Sequence, residues 1–420
     1  MMNSLRHSLL AALLSMAAPL APACQKTSPT TRATSTQTPL VIADVTVIDG
    51  TGSAPRPHSD VFISDDHLAA VTDATNAAFP KTARIVRATG KFLIPGLWDM
   101  HVHLRASDLP SLVAYGVTGV RDMGNSLSDV DQWRGQISCG TLVGPQIFRV
   151  GPILNGQAFG QAHVAIANAE EARVAARILK HVGVDAIKTH NALSREAYFA
   201  LADETKKLGI PLVGHIPVTV TAAEASDAGQ ASFEHVQTLF EGRTPLKRED
   251  APDLFARFVR NHNAFVPTLI NYLGSANPAN IDPELLRKYP DIPAGRERIF
   301  RQFVELLGLM HKSGVFLMTG TDLGSPWIVP GKDLHEELAL FVESGLTPME
   351  ALQAATRNPA RFLGIASGTI EPGMSADLVL LDANPLDDIR NTRAIRAVVV
   401  QGRLIDRAQL NGLLRAATTH

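Results

Sequence analysis

The prediction of the fold starts from the segment Pro95-Gly96-Leu97-Trp98-Asp99-Met100-His101-Val102-His103. It is a short apolar strand that follows a proline and a glycine and ends on two histidines spaced i, i+2. Because successive side chains of a strand alternate between its two faces, both imidazoles point to the same side. Such a pair is a weak sign of a metal site when it stands alone, so further candidate ligands elsewhere in the chain are needed to support a metal site.

Seven further apolar strands follow this one, and helical segments alternate with them. The alternation is typical of parallel β/α units, and residues 95–365 match the roughly 250 residues that eight such units need. Thr347 with Glu350, and Thr221 with Glu224, have the spacing of a helix capping box. We therefore predict an α/β fold, a (β/α)8 TIM barrel over residues 95–365. The predicted strands are Leu97–His103, Gly119–Asp122, Ile147–Pro152, Asp185–Lys188, Pro211–His215, Ser232–His235, Ala264–Thr268 and Val315–Thr321.

Strand-like segments flank this region on both sides. Residues 40–94 contain Val45-Thr46-Val47-Ile48, and residues 366–410 contain Asp377–Leu381 and Ile395–Val400. Neither flank has enough strands for a stable sheet of its own. We therefore predict one small β-sandwich built from residues 40–94 and 366–410, with the barrel inserted between its two parts.

The amino terminus has the composition of a targeting signal. Arg6 and His7 precede an apolar run from Leu9 to Leu20, and the small residues Ala21-Pro22-Ala23 follow it. The run is shorter than the ~20 residues that span a bilayer. We predict a signal peptide over residues 1–24 and export to the periplasm or the cell envelope.

Cys24 leaves two outcomes open for the mature chain. Acylation of this cysteine would anchor the protein to the membrane, although Ala21 stands where a bacterial lipobox has leucine. Without acylation the protein would be released into the periplasm. Residues 25–39 are rich in Ser, Thr and Pro and are predicted to form a disordered linker.

Composition excludes several classes of partner. The formal net charge is −2 and aromatic residues make up 5% of the chain, which disfavours a nucleic-acid surface. Apart from Cys24 the chain has one cysteine, Cys139, so it has no disulfide framework, and we expect Cys139 to be a packed small residue. A lipid anchor at Cys24 is the only membrane contact that we predict. Whether the chain forms a homo-oligomer stays open.

Four more residues with metal-binding chemistry end other predicted strands: Lys188, His215, His235 and Asp322. Since active-site residues of a β/α barrel come from the C-terminal ends of its strands, they would share one mouth with the paired histidines. Imidazole and carboxylate suit Zn²⁺ and related ions. Each residue has a plainer alternative, a hydrogen-bonded histidine at the rim or an aspartate that caps a loop. Their number on separate strands favours a metal site, with Asp99 as a partner that orients a ligand histidine.

Lys188 is the most informative of these residues. It ends the apolar strand Val184-Asp185-Ala186-Ile187-Lys188, which points the lysine into the predicted barrel mouth. A buried ammonium beside metal cations would be repelled and poorly solvated. Carboxylation of the amine by CO2 removes this problem, because the resulting carbamate is an anion that can bridge two cations. The alternative is a lysine that binds a substrate carboxylate.

These residues, in this order, resemble a known family. The segment Pro95–His103, followed by Lys188, His215, His235 and Thr-Gly-Thr-Asp322, is similar to the amidohydrolase superfamily. The segments Asn358–Gly364 and Gly368–Val379 are also similar to it, so the resemblance covers residues 40–405.

The resemblance implies a binuclear metal site with six ligands. His101, His103 and Asp322 would bind one divalent cation, and His215 and His235 the other, with N-carboxylated Lys188 as the bridge. The cations would be Zn²⁺, with Mn²⁺ or Co²⁺ as alternatives that suit similar ligands. The metals would activate a shared water to hydroxide, and Asp322 would move the proton to the leaving nitrogen.

The sub-group that the chain resembles contains secreted dipeptidase-like and imidazolonepropionase-related members. This likeness implies an exported enzyme that hydrolyses the amide bond of a small molecule, such as a dipeptide or an N-acyl amino acid. One alternative is a cyclic amide, a lactone or an organophosphorus ester as substrate, since the same chemistry serves each. Another is an inactive exported binding protein, which the intact ligand set disfavours.

Four residues near the predicted strand ends are candidates for substrate binding. His190 shares the inward face with Lys188, and His163 follows the third strand, where substrate loops are common. Arg105 could pair with a carboxylate or form a salt bridge at the rim, and Tyr272 follows the seventh strand.

Overall fold

The computed structural model describes residues 38–74, 79, 81–159, 162–241 and 246–417. The predicted signal peptide, Cys24 and residues 25–37 of the predicted linker lie outside the described residues. Strands and helices alternate along the middle of the chain, so the predicted α/β class is confirmed. The described strands are β1 Leu40–Val47, β2 Arg56–Ser64, β3 His67–Asp73, β4 Arg84–Arg87, β5 Phe92–Pro95, β6 Leu97–Val102, β7 Val117–Asp122, β8 Gln146–Arg149, β9 Ile153–Asn155, β10 His163–Ala165, β11 Ile187–Thr189, β12 Leu212–Gly214, β13 Ser232–Glu234, β14 Ala264–Val266, β15 Phe316–Leu317, β16 Leu378–Leu381, β17 Ile395–Val400 and β18 Arg403–Asp406.

Most helices lie between the parallel strands of the middle region. None of the described helices combines the length and the apolar composition that a membrane span requires. The α-helices are α1 Asp108–Ala114, α2 Leu127–Ser138, α3 Ala169–His181, α4 Arg195–Leu208, α5 Ala222–Asp227, α6 Ala251–Arg260, α7 Leu269–Ala276, α8 Pro283–Lys288, α9 Ile292–Lys312, α10 Lys332–Glu343, α11 Pro348–Ala354, α12 Arg357–Leu363 and α13 Arg407–Ala417. Short 3-10 turns cover Val236–Leu239, Arg248–Asp250, Pro278–Asn280 and Ile389–Arg393.

Two predicted helix starts have the local structure that their sequence requires. The side chain of Thr221 accepts from the backbone N–H of Glu224, and the Glu224 side chain accepts from the Thr221 backbone in return. Thr347 and Glu350 form the same reciprocal pair, with a proline in the first turn of the helix. Each pair satisfies backbone N–H groups that have no partner within the helix, which fixes where the helix begins.

The strands of the two chain ends hydrogen-bond into one sheet. Its order is β18-β17-β16-β5-β1-β2-β3, and β4 also pairs with β1. The junction is the antiparallel pair of β5 and β16, in which Ile94 lies opposite Val379. The predicted pairing of the two flanks is therefore present as a mixed sheet, whereas its arrangement as a two-layer sandwich stays a prediction.

Two parallel sheets, one of three strands and one of seven, form the middle of the described chain. β6, β7 and β8 make one sheet, and β11 to β15 follow in chain order in a second sheet, which begins with β10 and β9. Backbone hydrogen bonds connect the two sheets at both ends. Asp185 N donates to Arg149 O at 2.8 Å between β8 and the approach to β11, and Asp322 N donates to His101 O at 2.8 Å beside β6.

The pair β9 and β10 is a feature that sequence reasoning missed. Its three-residue strands are parallel, with His163 opposite Ile153, and they follow the third strand of the middle region. The sequence predicts a loop there, because strands of three residues are too short to show an alternating pattern. His163 therefore begins a strand that is hydrogen-bonded to the sheet.

Packing between the strands below the histidines leaves no room for added volume at Gly119. A Cβ atom on Gly119 would lie 2.3 Å from the Trp98 ring, and Trp98 is 1% exposed. We expect Gly119→Ala to lower the free energy of unfolding by about 1–3 kcal/mol through overpacking, as measured by urea denaturation. In the control Gly135→Ala, on α2, a Cβ meets nothing within 4 Å, and stability should be unchanged or higher. Equal effects of the two substitutions would contradict this account of the packing.

Candidate metal centre

The six predicted ligands lie at or just beyond the carboxyl ends of parallel strands. His101 and Lys188 are inside β6 and β11, while His215 and His235 directly follow β12 and β13. Asp322 follows β15 by a few residues and has a left-handed backbone with φ of 60°. All six side chains therefore belong to the same end of the sheets.

Four of these side chains converge at hydrogen-bond distance or slightly beyond. Lys188 Nζ lies 3.3 Å from His101 Nε2 and 3.4 Å from His103 Nε2. Asp322 Oδ1 lies 3.5 Å from His101 Nε2 and 3.6 Å from His103 Nε2. Among the described residues, His101, His103 and Asp322 form the group whose ligand atoms lie within 4.8 Å of one another and could hold a cation.

His215 and His235 complete the cluster on the adjacent strands. Their ring centroids are 4.7 Å apart, and the His235 ring is 4.4 Å from that of His101. His235 Nδ1 is 4.0 Å from Asp322 Oδ2. The predicted residues for two neighbouring cation sites thus lie side by side, and their roles as ligands stay a prediction.

Each of the four imidazoles has a neighbour for its Nδ1 atom, which leaves Nε2 for the centre. The Nδ1 partner of His101 is Glu234 Oε2 at 3.0 Å, and that of His103 is the carbonyl of Gly124 at 3.4 Å. The other two partners are Asn191 Oδ1, 2.7 Å from His215, and Thr268 Oγ1, 2.8 Å from His235. Such partners orient the ring of a ligand histidine and raise its basicity.

Burial keeps all four imidazoles in the neutral form that a metal ligand requires. It lowers the pKa of His103 and of His235 to about 3, with the Lys188 charge acting in the same direction. It also holds the pKa of His101 and His215 well below the usual range. The donor set therefore fits divalent cations, because neutral imidazole nitrogen and carboxylate oxygen suit them.

Lys188 is buried at 1% exposure, and this burial lowers its pKa to about 8. The nearest nitrogen atoms are those of His101 and His103, which can offer lone pairs but no negative charge. An amine with a lowered pKa is deprotonated more often at neutral pH, and the neutral amine is the form that reacts with CO2.

Asp99 does not orient a histidine ring, which corrects the expectation for this residue. Its carboxylate accepts from Thr321 Oγ1 at 2.6 Å and from the backbone N–H groups of Thr321 at 3.0 Å and His101 at 3.2 Å. Burial raises the pKa of Asp99 to about 7. Asp99 thus holds the backbone that precedes Asp322 against the backbone of β6.

Two polar neighbours of the ligands were missed by sequence reasoning. Glu234 contacts the His101 ring, and Asn271 on α7 donates through Nδ2 to Asp322 Oδ2 at 2.6 Å. Asn271 is held in turn by Trp327, whose Nε1 donates to Asn271 Oδ1 at 2.7 Å. Glu234 precedes the predicted ligand His235 in sequence, which is a weak signal, and nothing in the sequence points to Asn271.

A cavity of about 410 Å³ opens above the cluster. Besides His103, Lys188, His215, His235 and Asp322, it is lined by Gly124, Ile153, Ala162, His163, His190 and Gln237. Of the four predicted substrate residues, His163 and His190 therefore line the cavity. Arg105 and Tyr272 are not among the described residues that line it, and Arg105 is exposed.

A model of the amidohydrolase family matches residues 92–405 of this chain. The dihydroorotase of Pelotomaculum thermopropionicum is 26% identical over 432 residues, which cover 87% of this chain and 95% of the dihydroorotase. The ochratoxinase of Aspergillus niger is 25% identical over 443 residues, which cover 86% of this chain and 87% of the ochratoxinase.

Solved structures resemble the chain over most of its length. A candidate prolidase from Bifidobacterium longum has a TM-score of 0.75 at 26% identity, and the match covers 90% of this chain and 99% of that one. A Xaa-Pro dipeptidase with bound methionine has a TM-score of 0.72 at 21% identity, and the match covers 88% of this chain and 100% of that one. At this identity the likeness supports the fold alone. The predicted enzyme class, a hydrolase that acts on carbon–nitrogen bonds, is confirmed. By the match of its sequence and the residues at its strand ends, the chain belongs to the amidohydrolase family.

Proposed function

We propose that the chain is a metal-dependent enzyme that hydrolyses the amide bond of a small substrate, such as a dipeptide or an N-acyl amino acid. The observation that carries this proposal is the convergence of four neutral imidazoles, one lysine and one carboxylate beneath a cavity of about 410 Å³. Relatives named dihydroorotase and ochratoxinase, and a structural neighbour at 26% identity named as a candidate prolidase, support an amide as the bond that is cleaved.

The scaffold in this proposal is a closed (β/α)8 barrel over residues 95–365, with a small β-sandwich of residues 40–94 and 366–410. Hydrogen bonds at both ends of the two parallel sheets support closure of the barrel. The mixed sheet shared by both chain ends supports the division into two domains.

Two divalent cations would fit the donor set, Zn²⁺ in the first place, with Mn²⁺ or Co²⁺ as alternatives. His101, His103 and Asp322 would hold one cation, since their ligand atoms already lie close together. His215 and His235 would hold the other, but two imidazoles are fewer than the three protein ligands of a catalytic zinc site. N-carboxylation of Lys188 would supply the missing donor to this second cation and an oxygen to the first.

Divalent cations held by these residues would lower the pKa of a bound water molecule and polarise the substrate carbonyl. Asp322 would take the proton of the attacking water and give it to the leaving nitrogen as the carbon–nitrogen bond breaks. Asn271 holds Asp322 Oδ2 at 2.6 Å, and Oδ1 is the atom that faces His101 and His103. The proton transfer thus depends on a carboxylate whose orientation is fixed on one side.

His163 and His190 would recognise the oxygen atoms of the substrate. Phe159 N donates to His163 Nδ1 at 3.1 Å, so a neutral His163 carries its proton on Nε2 and can donate it. His190 stacks on His215 with ring centroids 4.2 Å apart, and its buried Nδ1 has no hydrogen-bond partner in the described structure. Burial lowers the pKa of His190 to about 4, so this ring is also neutral.

We expect His190→Phe to raise KM about tenfold and to change kcat much less. Phenylalanine keeps the stacking on His215 but removes the hydrogen bond to the substrate, and one such bond contributes roughly 0.5–1.5 kcal/mol to binding. Steady-state kinetics on an N-acyl amino acid measures both constants. The control is His181→Phe, an exposed position at the end of α3. An unchanged KM would show that His190 does not contribute to substrate binding.

The experiment that tests the proposed function is a substrate panel on metal-loaded protein. Dipeptides, N-acyl amino acids, cyclic amides, lactones and organophosphorus esters are each offered to the Zn²⁺, Mn²⁺ and Co²⁺ forms. We expect linear amides to be cleaved with the highest kcat/KM. A clear preference for lactones or organophosphorus esters would favour the alternative hydrolase, and no turnover with two metals bound would favour an inactive binding protein.

Export is part of the proposal and rests on the amino-terminal sequence. Basic residues, an apolar run and Ala21-Pro22-Ala23 support a cleaved signal, after which the enzyme would reside in the periplasm or be anchored through Cys24. Cell fractionation of the full chain and of Cys24→Ser measures both. An uncleaved chain in the cytosol would contradict export, and an unchanged distribution of Cys24→Ser would contradict the anchor.

A further inference from the structure

Directly beneath the proposed metal centre lies an ion pair that is closed off from solvent. Arg121 on β7 is 1% exposed and Glu234 on β13 is fully buried. Arg121 Nη2 donates to Glu234 Oε1 at 2.7 Å. Two charges of this kind are costly to remove from water, and a well-packed apolar pair is often as stable. The burial of this pair therefore suggests a role beyond the stability of the fold.

The hydrogen bonds within the pair use only one of the two Glu234 carboxylate oxygens. Arg121 Nε donates to the Met100 carbonyl at 2.8 Å, and Nη1 donates to Ser232 Oγ at 2.9 Å. Ser232 Oγ donates to Glu234 Oε1 at 2.5 Å. Oε1 thus takes the contacts from Arg121 and Ser232, and Oε2 is left for the His101 ring at 3.0 Å.

His101 differs in this respect from the other three inward-facing histidines. His103 faces a backbone carbonyl, His215 faces the amide oxygen of Asn191, and His235 faces the hydroxyl of Thr268. Within the described part of the chain, His101 is the one member of this set whose Nδ1 lies at hydrogen-bond distance from a carboxylate, since His235 Nδ1 is 4.0 Å from Asp322 Oδ2. An anionic acceptor forms a stronger hydrogen bond than a neutral one.

We infer that Glu234 is a positioning residue for the cation held through His101, and that Arg121 holds Glu234 for this task. The Glu234 carboxylate accepts a hydrogen bond from the N–H at His101 Nδ1. This bond fixes the tautomer of the ring, so that the lone pair on Nε2 points to the centre. Arg121 Nη2 and Ser232 Oγ donate to Oε1, which fixes the rotamer of the carboxylate and leaves Oε2 facing His101. This inference rests on the proposed function, because it assumes that His101 binds a cation.

The test is a metal titration of Glu234→Gln with Zn²⁺ alone, against a chromophoric chelator. We expect the affinity for one of the two cations to fall about 10- to 100-fold, the usual effect of losing such a partner. The affinity for the other cation should stay within about threefold. The control is Glu204→Gln, which breaks the Arg177–Glu204 pair between α3 and α4 at 2.6 Å and should leave both affinities unchanged.

A double variant, Arg121→Met with Glu234→Gln, separates positioning from charge balance. It leaves no unpaired buried charge, so it is expected to fold even where the single variant does not. If Glu234 acts on His101, the double variant keeps the 10- to 100-fold loss for one cation. Wild-type affinity for both cations in either folded variant would overturn the inference.

Histidine ¹⁵N NMR of the zinc-loaded wild-type protein provides a measurement that needs no variant. The inference requires a proton on His101 Nδ1, and a deprotonated Nδ1 would overturn it. Failure of the proposed function is distinguishable, because it would appear in the wild type as fewer than two bound cations or as no amide turnover with two cations bound. Failure of the inference would leave two cations in the wild type.

Discussion

Lys188→Met is expected to lower kcat/KM by about a thousandfold or more and to remove at least one of the two cations. Methionine fills the same buried space but cannot be carboxylated, so the bridge between the cation sites is lost. His215 and His235 alone are too few to hold a catalytic cation. The loss of a polarising charge at a developing oxyanion costs about 10²–10³ in rate by itself. Steady-state kinetics and metal analysis of the same preparation measure the two effects.

The exposed helical position Lys180 supplies the matched control for this variant. Lys180→Met removes the same charge from the last turn of α3, and its metal content and kcat/KM should equal those of the wild type. The open alternative, a Lys188 ammonium that binds a substrate carboxylate, predicts a different pattern. In that case Lys188→Met would raise KM, keep both cations and leave kcat largely intact, which would contradict the carbamate.

Asp322→Asn is expected to lower kcat by about 10²–10⁴-fold, the usual contribution of a general acid–base group. Asparagine keeps the size of the side chain and one carbonyl oxygen for a cation, but it cannot take up the proton of the attacking water. Asn271 donates to Asp322 Oδ2 at 2.6 Å, so the variant can turn its own oxygen toward Asn271. We therefore expect a stable protein with weakened but detectable metal binding.

The measurement for this variant is kcat together with metal content at saturating Zn²⁺. Asp333→Asn, a buried carboxylate at the start of α10 that accepts from Val329 N at 2.8 Å, is the control, and its kcat should be unchanged. Retention of more than about a tenth of wild-type kcat by Asp322→Asn at full metal occupancy would contradict the role of Asp322 in proton transfer.

Much of the α/β arrangement follows from local sequence. The apolar strand that ends at His101 and His103 has the predicted position, and the capping boxes at Thr221 and Thr347 begin helices as their spacing requires. These features depend on neighbours within a few residues, so they can be predicted from a single sequence. The three-residue strands β9 and β10 depend on pairing with the sheet, and sequence periodicity does not reveal them.

The candidate site divides in the same way between local and distant contacts. Strand ends predict which side chains gather at one edge, and the six proposed ligands do lie there. Which partner each ligand meets depends on residues far away in sequence, such as Glu234, which is 133 positions from His101. The alternation of side chains along β6 predicts that Asp99 lies on the same face as His101. It does not predict that Asp99 contacts Thr321, which is distant in sequence.

A binuclear metal centre requires two bound cations per chain, so the metal content of the purified wild-type protein is the decisive measurement. Inductively coupled plasma mass spectrometry, read beside kcat/KM during stepwise removal and return of Zn²⁺, relates activity to bound metal. We expect two equivalents of Zn²⁺ per chain at full activity and a loss of activity as they are removed. Full activity with one equivalent or none would contradict a binuclear centre.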